Sequence, residues 1–260
     1  MSFIPVKADT DPAASFATST LILPTVSIGN VPQLVSDLLI STFQMDRTGW
    51  IDADSVLPLA GLREDTKEHK GVTVPIEVFQ TKDRLYTCVQ QRSPTLKGRK
   101  TDYIRDITMF AKQFKKIVLM TSMDAARRLD SQIQGSGAHP FRVYSRDDGH
   151  DLMKKALDIL QVPVLENMAM TPEWVEGDGK IHLYGSGLAK YLYEELERDE
   201  NVQTLLTVMF ALEGDNAQDA IEYASFINSL LDINTSLKSW NPPKSWNLLF
   251  GTPYNSELYQ

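Results

Sequence analysis

The sequence predicts an α/β fold: a layered α/β/α sandwich with a mostly parallel central sheet, one hairpin and an extended C-terminal tail. Short apolar runs alternate with segments whose apolar residues recur every three to four positions, the pattern of strands alternating with helices. Residues 116–121 are almost continuously apolar, as in a strand that a parallel sheet buries on both faces. No shift in composition divides the chain, so one α/β domain is expected over residues 19–231.

Periodicity and β-propensity place the elements along the chain. Residues 1–18 are rich in Pro, Ala, Ser, Thr and Asp, and a disordered lead-in is expected there. The elements predicted after it are a strand at 20–24, a helix from 31 to about 43, a strand at 56–60, a hairpin of strands at 72–80 and 84–91, a helix at 101–115, strands at 116–121 and 141–144, helices at 151–160 and 186–198, a strand at 204–212 and a helix ending near 231. For 204–212 the periodicity allows helix or strand, and the β-branched residues favour a strand. Residues 232–260 form the predicted tail.

Composition and charge argue against several classes of function. The net charge of −8 opposes binding to a nucleic-acid backbone, which attracts clusters of Lys and Arg. Cys88 is the only cysteine, so a disulfide within the chain is excluded and a reducing compartment is indicated. No signal peptide and no apolar run of membrane-spanning length is recognisable. We therefore expect a soluble protein of the cytoplasm or nucleus.

The residues that usually carry chemistry are scattered. His69, His139, His150 and His182 show none of the close spacing that metal ligands have. Neither a Gly-x-Ser-x-Gly nucleophile elbow nor a Gly-x-x-x-x-Gly-Lys-Ser/Thr phosphate loop is present. The sequence therefore indicates no catalytic residue, no metal site and no cofactor.

Two glycine-containing turns follow predicted strands. Gly29-Asn30 precedes the first helix, and Gly214-Asp215-Asn216 precedes the last one. Open α/β sheets usually bind ligands at such strand-to-helix turns, so an enzyme acting on nucleosides or phosphate esters is one interpretation. The other is architectural, because glycine allows positive φ while Asp and Asn satisfy free amides at a helix start. We favour the architectural interpretation, since nothing in the sequence supplies a nucleophile with a base.

Five segments carry a resemblance to a known family. They are LPTVSIGNVPQLVSDLL (23–39), GWIDADSVLPLAG (49–61), GSGLAKYLY (185–193), LEGDNAQDA (212–220) and SWNLLFG (245–251). In order and spacing they are similar to segments of the proteasome assembly chaperone 2 family, over roughly residues 20–251. The resemblance implies an α/β sandwich without an active site. It also implies a heterodimer with proteasome assembly chaperone 1 that helps to assemble the α-subunit ring of the proteasome core particle, with no nucleotide or metal.

The resemblance gives a meaning to Leu258-Tyr259-Gln260. Proteasome activators and some assembly chaperones, as families, finish in hydrophobic–Tyr–any residue, which enters pockets between α subunits. In that interpretation the carboxylate of Gln260 pairs with a pocket lysine, the Tyr259 ring contributes apolar area and Leu258 fills an apolar recess.

The rest of the tail is unusually apolar for a disordered segment. As a flexible coil, residues 232–260 would span roughly 30 Å end to end. Four large side chains are expected to pack part of the tail onto the body or onto a partner: Trp240, Trp246, Leu249 and Phe250.

Overall fold

An eight-stranded sheet with helices on both faces forms the body of the protein. The computed structural model describes residues 3–6, 15–52, 54–63, 71–128, 133, 139–147, 151–166 and 181–248. Its strands are β1 (Phe3–Pro5), β2 (Thr20–Pro24), β3 (Asp46–Ile51), β4 (Gly61–Leu62), β5 (Val72–Thr73), β6 (Ile76–Gln80), β7 (Tyr86–Gln91), β8 (Lys116–Asp124), β9 (Phe141–Tyr144) and β10 (Gln203–Ala211). Its helices are α1 (Val31–Phe43), α2 (Lys100–Ala111), α3 (Asp151–Lys154, continued by a π-helical turn at Lys155–Ile159), α4 (Ala189–Leu196) and α5 (Ala217–Leu231), with 3-10 turns at Ile28–Asn30, Ala125–Arg127 and Lys244–Leu248.

The strand order of the main sheet is β1-β3-β6-β7-β2-β8-β10-β9. Its four central strands, β7, β2, β8 and β10, are parallel, and β8 and β10 pair along their full lengths. The outer strands pair antiparallel, while β4 and β5 form a separate two-stranded sheet. The predicted α/β layering around a parallel centre is thus confirmed. The predicted hairpin is β6–β7, and further antiparallel strands extend the sheet beyond it.

Alternating side chains of the central strands supply two cores. In β2, Leu21 and Leu23 pack with α2 and α4, whereas Ile22 packs with α1 and α5. All three side chains are at most 1% exposed. Burial of one such side chain stabilises the fold by about 1.5–3 kcal/mol. Because both faces of the central strands are covered, their sequences are apolar without the alternation of a half-exposed strand.

The disordered lead-in predicted for residues 1–18 is wrong for the part of it that the structure describes. Strand β1 pairs antiparallel with β3 at one edge of the main sheet. Phe16 is fully buried, with ring centroids 4.8–5.5 Å from those of Phe3, Phe110 and Phe114. The segment is polar in overall composition, which led to the prediction of disorder. Its two phenylalanines, Phe3 and Phe16, pack against α2 and favour an ordered backbone.

Two other predictions along the chain also need correction. Residues 56–60 were predicted as a strand, but they contribute only an isolated bridge, Val56↔Thr95, and Pro58 has no N–H to donate to a ladder. The helix predicted at 101–115 ends at Ala111. Among the helices of the described residues, none has the length and apolarity needed to cross a membrane. The division into a domain at 19–231 and a tail at 232–260 stays a prediction.

Candidate partner-binding site

The two predicted glycine turns meet at the carboxyl edge of the parallel strands. The φ angles are 67° at Gly29 and 144° at Gly214, a region that favours glycine. Asn216 joins the turns, because its Nδ2 donates to the carbonyl oxygens of Gly214 at 3.0 Å and Gly29 at 3.3 Å. A Cβ on Gly29 would lie 2.6 Å from that Nδ2 and 2.9 Å from the Leu212 carbonyl oxygen. The turns can pack this closely only because position 29 has no side chain.

The polar residues beside these glycines lie at the starts of α1 and α5. Asn30 precedes α1 in the left-handed region, with φ of 51°, and its side chain makes no capping bond. Asp215 Oδ1 accepts a hydrogen bond from the Ala217 N–H at 3.0 Å, which satisfies one of the free amides at the start of α5.

Buried hydroxyl groups fill the carboxyl edge between β2 and β8. The Ser27 and Ser122 oxygens are 2.8 Å apart, and Ser122 Oγ donates to the Ile28 carbonyl oxygen at 2.6 Å. Thr25 Oγ1 donates to Thr121 Oγ1 at 2.9 Å. A glycine loop closes over them, since a Cβ on Gly187 would lie only 2.0 Å from the Val26 carbonyl oxygen. The protein's own groups therefore occupy this part of the sheet edge, where open α/β sheets usually bind ligands.

The first part of the predicted tail lies across the outer surface of α1 and α5. We call residues 232–248 the strap. The Trp240 ring contacts Phe43 at 5.8 Å between centroids, and its Nε1–H donates to Ser225 Oγ at 2.9 Å. The Asn241 N–H donates to Thr42 Oγ1 at 3.0 Å. Phe43 and Thr42 belong to α1 and Ser225 to α5, so the strap bridges the two helices.

Trp246 anchors the far end of the strap near the middle of α1. Its ring is partly buried against the core under α1 and α5. Its Nε1–H faces Asp37, although no acceptor within the described residues lies at hydrogen-bonding geometry. Burial raises the pKa of the Asp37 carboxyl group, while Arg92, Gln90 and Trp246 act in the opposite direction.

A network of charged side chains lies between Asp37 and the outer strands. Glu77 of β6 is 1% exposed and pairs with Arg47 of β3 at 2.6 Å and with Arg92 at 3.4 Å. Arg92 also contacts Asp37 at 3.3 Å, and Gln90 Nε2 donates to Asp37 Oδ1 at 2.6 Å. No motif in the sequence singles out these residues. The available signal was a glutamate inside an otherwise apolar strand, where a buried charge requires partners.

A cleft of about 630 Å³ separates the strap from the small sheet β4–β5. Leu62, Arg63 and Thr73 line this cleft together with residues 241–245 of the strap. The strap therefore leads towards the β4–β5 side of the molecule. Part of the predicted tail lies outside the described residues, namely Leu249, Phe250, Leu258, Tyr259 and Gln260.

These features describe a layered α/β scaffold. Its own loops fill the carboxyl edge of the central sheet, and the strap is anchored on the outer surface of α1 and α5. Among the described residues, no group of three or more His, Cys, Asp or Glu side chains could hold a metal ion. The chain belongs to the PAC2 family, whose sequence model matches residues 21–236.

Relatives and solved structures agree with this assignment. Proteasome assembly chaperone 2 of Nematostella vectensis is 33% identical over 227 residues, which cover 84% of this chain and 91% of that protein. Proteasome assembly chaperone 2 of Danio rerio is 30% identical over 251 residues, with 93% and 95% covered. The crystal structure of Pyrococcus furiosus PbaA, described as an archaeal homolog of proteasome-assembly chaperone, has the same fold, with a TM-score of 0.59, 16% identity and 86% and 85% of the two chains covered. The resemblance noted in the sequence is confirmed.

Proposed function

We propose that this protein is a proteasome assembly chaperone that forms a heterodimer with proteasome assembly chaperone 1 and promotes assembly of the α-subunit ring of the core particle. The observation that carries the proposal is the similarity to relatives named proteasome assembly chaperone 2 across almost the whole length of both chains. The reducing compartment indicated by the single cysteine agrees with action in the cytoplasm or nucleus.

The action of such a chaperone is binding, and it is not an enzyme. Hydroxyl groups and a glycine loop occupy the sheet edge between β2 and β8, so this region supports loop packing. To bind its partners specifically, the chaperone needs exposed surface that is complementary in shape to theirs, on the body, on the tail, or on both. No nucleotide or metal takes part in the proposed role.

The C-terminal residues provide the proposed anchor. Leu258-Tyr259-Gln260 inserts into a pocket of an α subunit, where the carboxylate forms a charge-assisted pair with a lysine. The Tyr259 ring supplies apolar area and its hydroxyl a hydrogen bond, while Leu258 fills an apolar recess. Because body and tail belong to one chain, binding by one raises the effective concentration of the other.

Co-purification tests the proposal. We expect the tagged full chain, isolated from its own cells, to carry a second chaperone of the same fold together with α subunits that lack mature β subunits. Retention of neither class of protein, or turnover of nucleosides or phosphate esters by the purified chain, would overturn the proposed role.

Deletion of Leu258, Tyr259 and Gln260 tests the anchor separately. We expect weaker binding to α-ring intermediates and an unchanged heterodimer, because the body is not altered. Unchanged affinity for α rings, measured by biolayer interferometry, would show that the tripeptide has no part in binding.

A further inference from the structure

The anchored strap restricts where a partner held by Tyr259 can lie. Trp240 and Trp246 hold residues up to the 3-10 turn at Lys244–Leu248 against the body. Tyr259 lies eleven positions after Leu248. Tyr259 can therefore lie at most about 40 Å from Leu248, the reach of a fully extended chain of that length. A partner that binds Tyr259 is therefore held close to the surface around Leu248.

The β4–β5 sheet, which is separate from the main sheet, carries exposed apolar side chains beside the strap. Leu62 and Val72 are cross-strand neighbours and are 69% and 55% exposed. Leu57 and Leu59, in the segment that leads into β4, are exposed as well. Leu62 and Ser245 line the same cleft, and Ser245 lies three residues before Leu248. An isolated two-stranded sheet is marginally stable in water, so large exposed apolar side chains on one indicate a contact surface.

We propose that the β4–β5 sheet is a second contact with the α ring and that Leu62 and Val72 enter an apolar recess on an α subunit. This inference rests on the proposed function, because it takes the α ring as the partner that Tyr259 holds. The α ring is the occupant that the linker length favours, because whatever binds Tyr259 is kept within reach of Leu62. The sheet and the anchor then act as two linked sites on one partner.

The double variant Leu62→Thr/Val72→Thr removes apolar area and leaves a β-branched side chain, which suits a strand, at both positions. We expect the affinity of the full chain for purified recombinant α rings to fall about tenfold, from the loss of about two buried methylene equivalents. The matched control is Met109→Gln/Leu212→Thr, since both residues are 56% exposed and neither lines the cleft. The control should bind like the unmodified chain. Circular dichroism of each variant establishes that it is folded.

A longer linker tests the coupling of the two contacts. Inserting eleven Gly/Ser residues after Leu248 doubles the linker and should lower α-ring affinity about threefold, because effective concentration falls with the −3/2 power of length. In the Leu62→Thr/Val72→Thr background the insertion should have little effect, since only one contact remains.

The Tyr259→Ala variant separates failure of the inference from failure of the proposed function. If Tyr259→Ala weakens α-ring binding and Leu62→Thr/Val72→Thr does not, the second contact is wrong and the proposed anchor stands. If the double variant instead disrupts only the heterodimer, the sheet contacts the partner chaperone and the inference is overturned. If the unmodified chain does not bind α rings, the proposed function itself fails.

Discussion

Replacement of Gly29 by alanine probes the packing of the two turns at the carboxyl edge. Alanine at a φ of 67° costs about 1 kcal/mol in backbone energy. Its Cβ would also lie 2.9 Å from the Leu212 carbonyl oxygen and 2.6 Å from Asn216 Nδ2, so either the turn shifts or Asn216 loses its hydrogen bonds. Such crowding adds about 1–3 kcal/mol. We therefore expect Gly29→Ala to lower the free energy of unfolding by about 3 kcal/mol.

Gly98→Ala is the matched control for backbone strain. Gly98 has a φ of 83°, and a Cβ there would meet no atom within 4 Å. This variant should lose only the backbone contribution of about 1 kcal/mol. In urea unfolding followed by circular dichroism, with a slope of about 3 kcal/mol per molar, the expected midpoint shifts are roughly 1 M for Gly29→Ala and 0.3 M for Gly98→Ala. Equal shifts would refute the packing argument.

A double mutant examines the contact with Asn216 directly. Asn216→Ala alone should cost about 2 kcal/mol, because two hydrogen bonds from a 3% exposed side chain are lost. Combined with Gly29→Ala it also removes the nearest clashing atom. The double variant should therefore lose about 1 kcal/mol less than the sum of the single losses. Strict additivity would mean that the two positions do not interact.

Two further predictions concern the strap and the buried carboxyl group. Trp240→Phe and Ser225→Ala each remove the same hydrogen bond, which is worth about 1 kcal/mol. Tryptic cleavage at Lys238 and Lys244 should therefore accelerate about fivefold in either variant and little more in the double variant. If the two effects multiply in the double variant, the shared bond is contradicted. For Asp37 the folded pKa lies above the unfolded one, so its contribution to stability is present at low pH and is lost as the pH rises through the raised pKa. Urea titrations at several pH values give the free energy of unfolding of the unmodified chain and of Asp37→Asn. The difference between the two should fall as the pH rises through that range. A difference that does not change with pH would exclude a raised pKa for Asp37.

Local sequence pattern was sufficient for the elements at the centre of the fold. Helix α1 ends at Phe43 as its apolar spacing predicted, and β9 has the predicted bounds of 141–144. For residues 204–212, where periodicity alone was ambiguous, the predicted strand is confirmed as β10, which runs from Gln203 to Ala211. These segments are buried on one helix face or on both strand faces, and burial of that kind leaves a periodic signal along the chain.

Elements that depend on distant partners left no such signal. Strand β1 needs Gly49 of β3, where a Cβ would lie 2.4 Å from the Ile4 carbonyl oxygen and 2.5 Å from the Phe3 ring. That requirement links residues more than forty positions apart, so neither segment indicates it alone. Glu77, Arg47 and Arg92 likewise come from separate segments, and their spacing in sequence carries no information about their ion pairs.

The glycine turns show the complementary case, in which sequence identified the residues and structure identified their relation. Gly29 and Gly214 lie 185 positions apart, and Asn216 brings them together through its amide. The pattern at each turn allowed a ligand site or a structural turn. The contact between Asn216 and Gly29 favours the second interpretation, because a side chain that holds two carbonyl groups in place leaves little freedom to bind a substrate.

The strap also gives a physical reason for the two tryptophans in the predicted tail. Without Trp240 and Trp246 on the body, the tether would begin at Asp232, 27 positions before Tyr259, whereas with them it begins at Leu248, eleven positions before Tyr259. Since effective concentration falls with the −3/2 power of linker length, anchoring raises it about fourfold at a site near the body. In the proposed role, such a tail reaches a pocket on the α ring and keeps the ring close to one side of the chaperone. If that role is correct, Trp240 and Trp246 restrict the side of the chaperone on which the α ring is held. That restriction is the physical reason to expect a second contact at Leu62 and Val72.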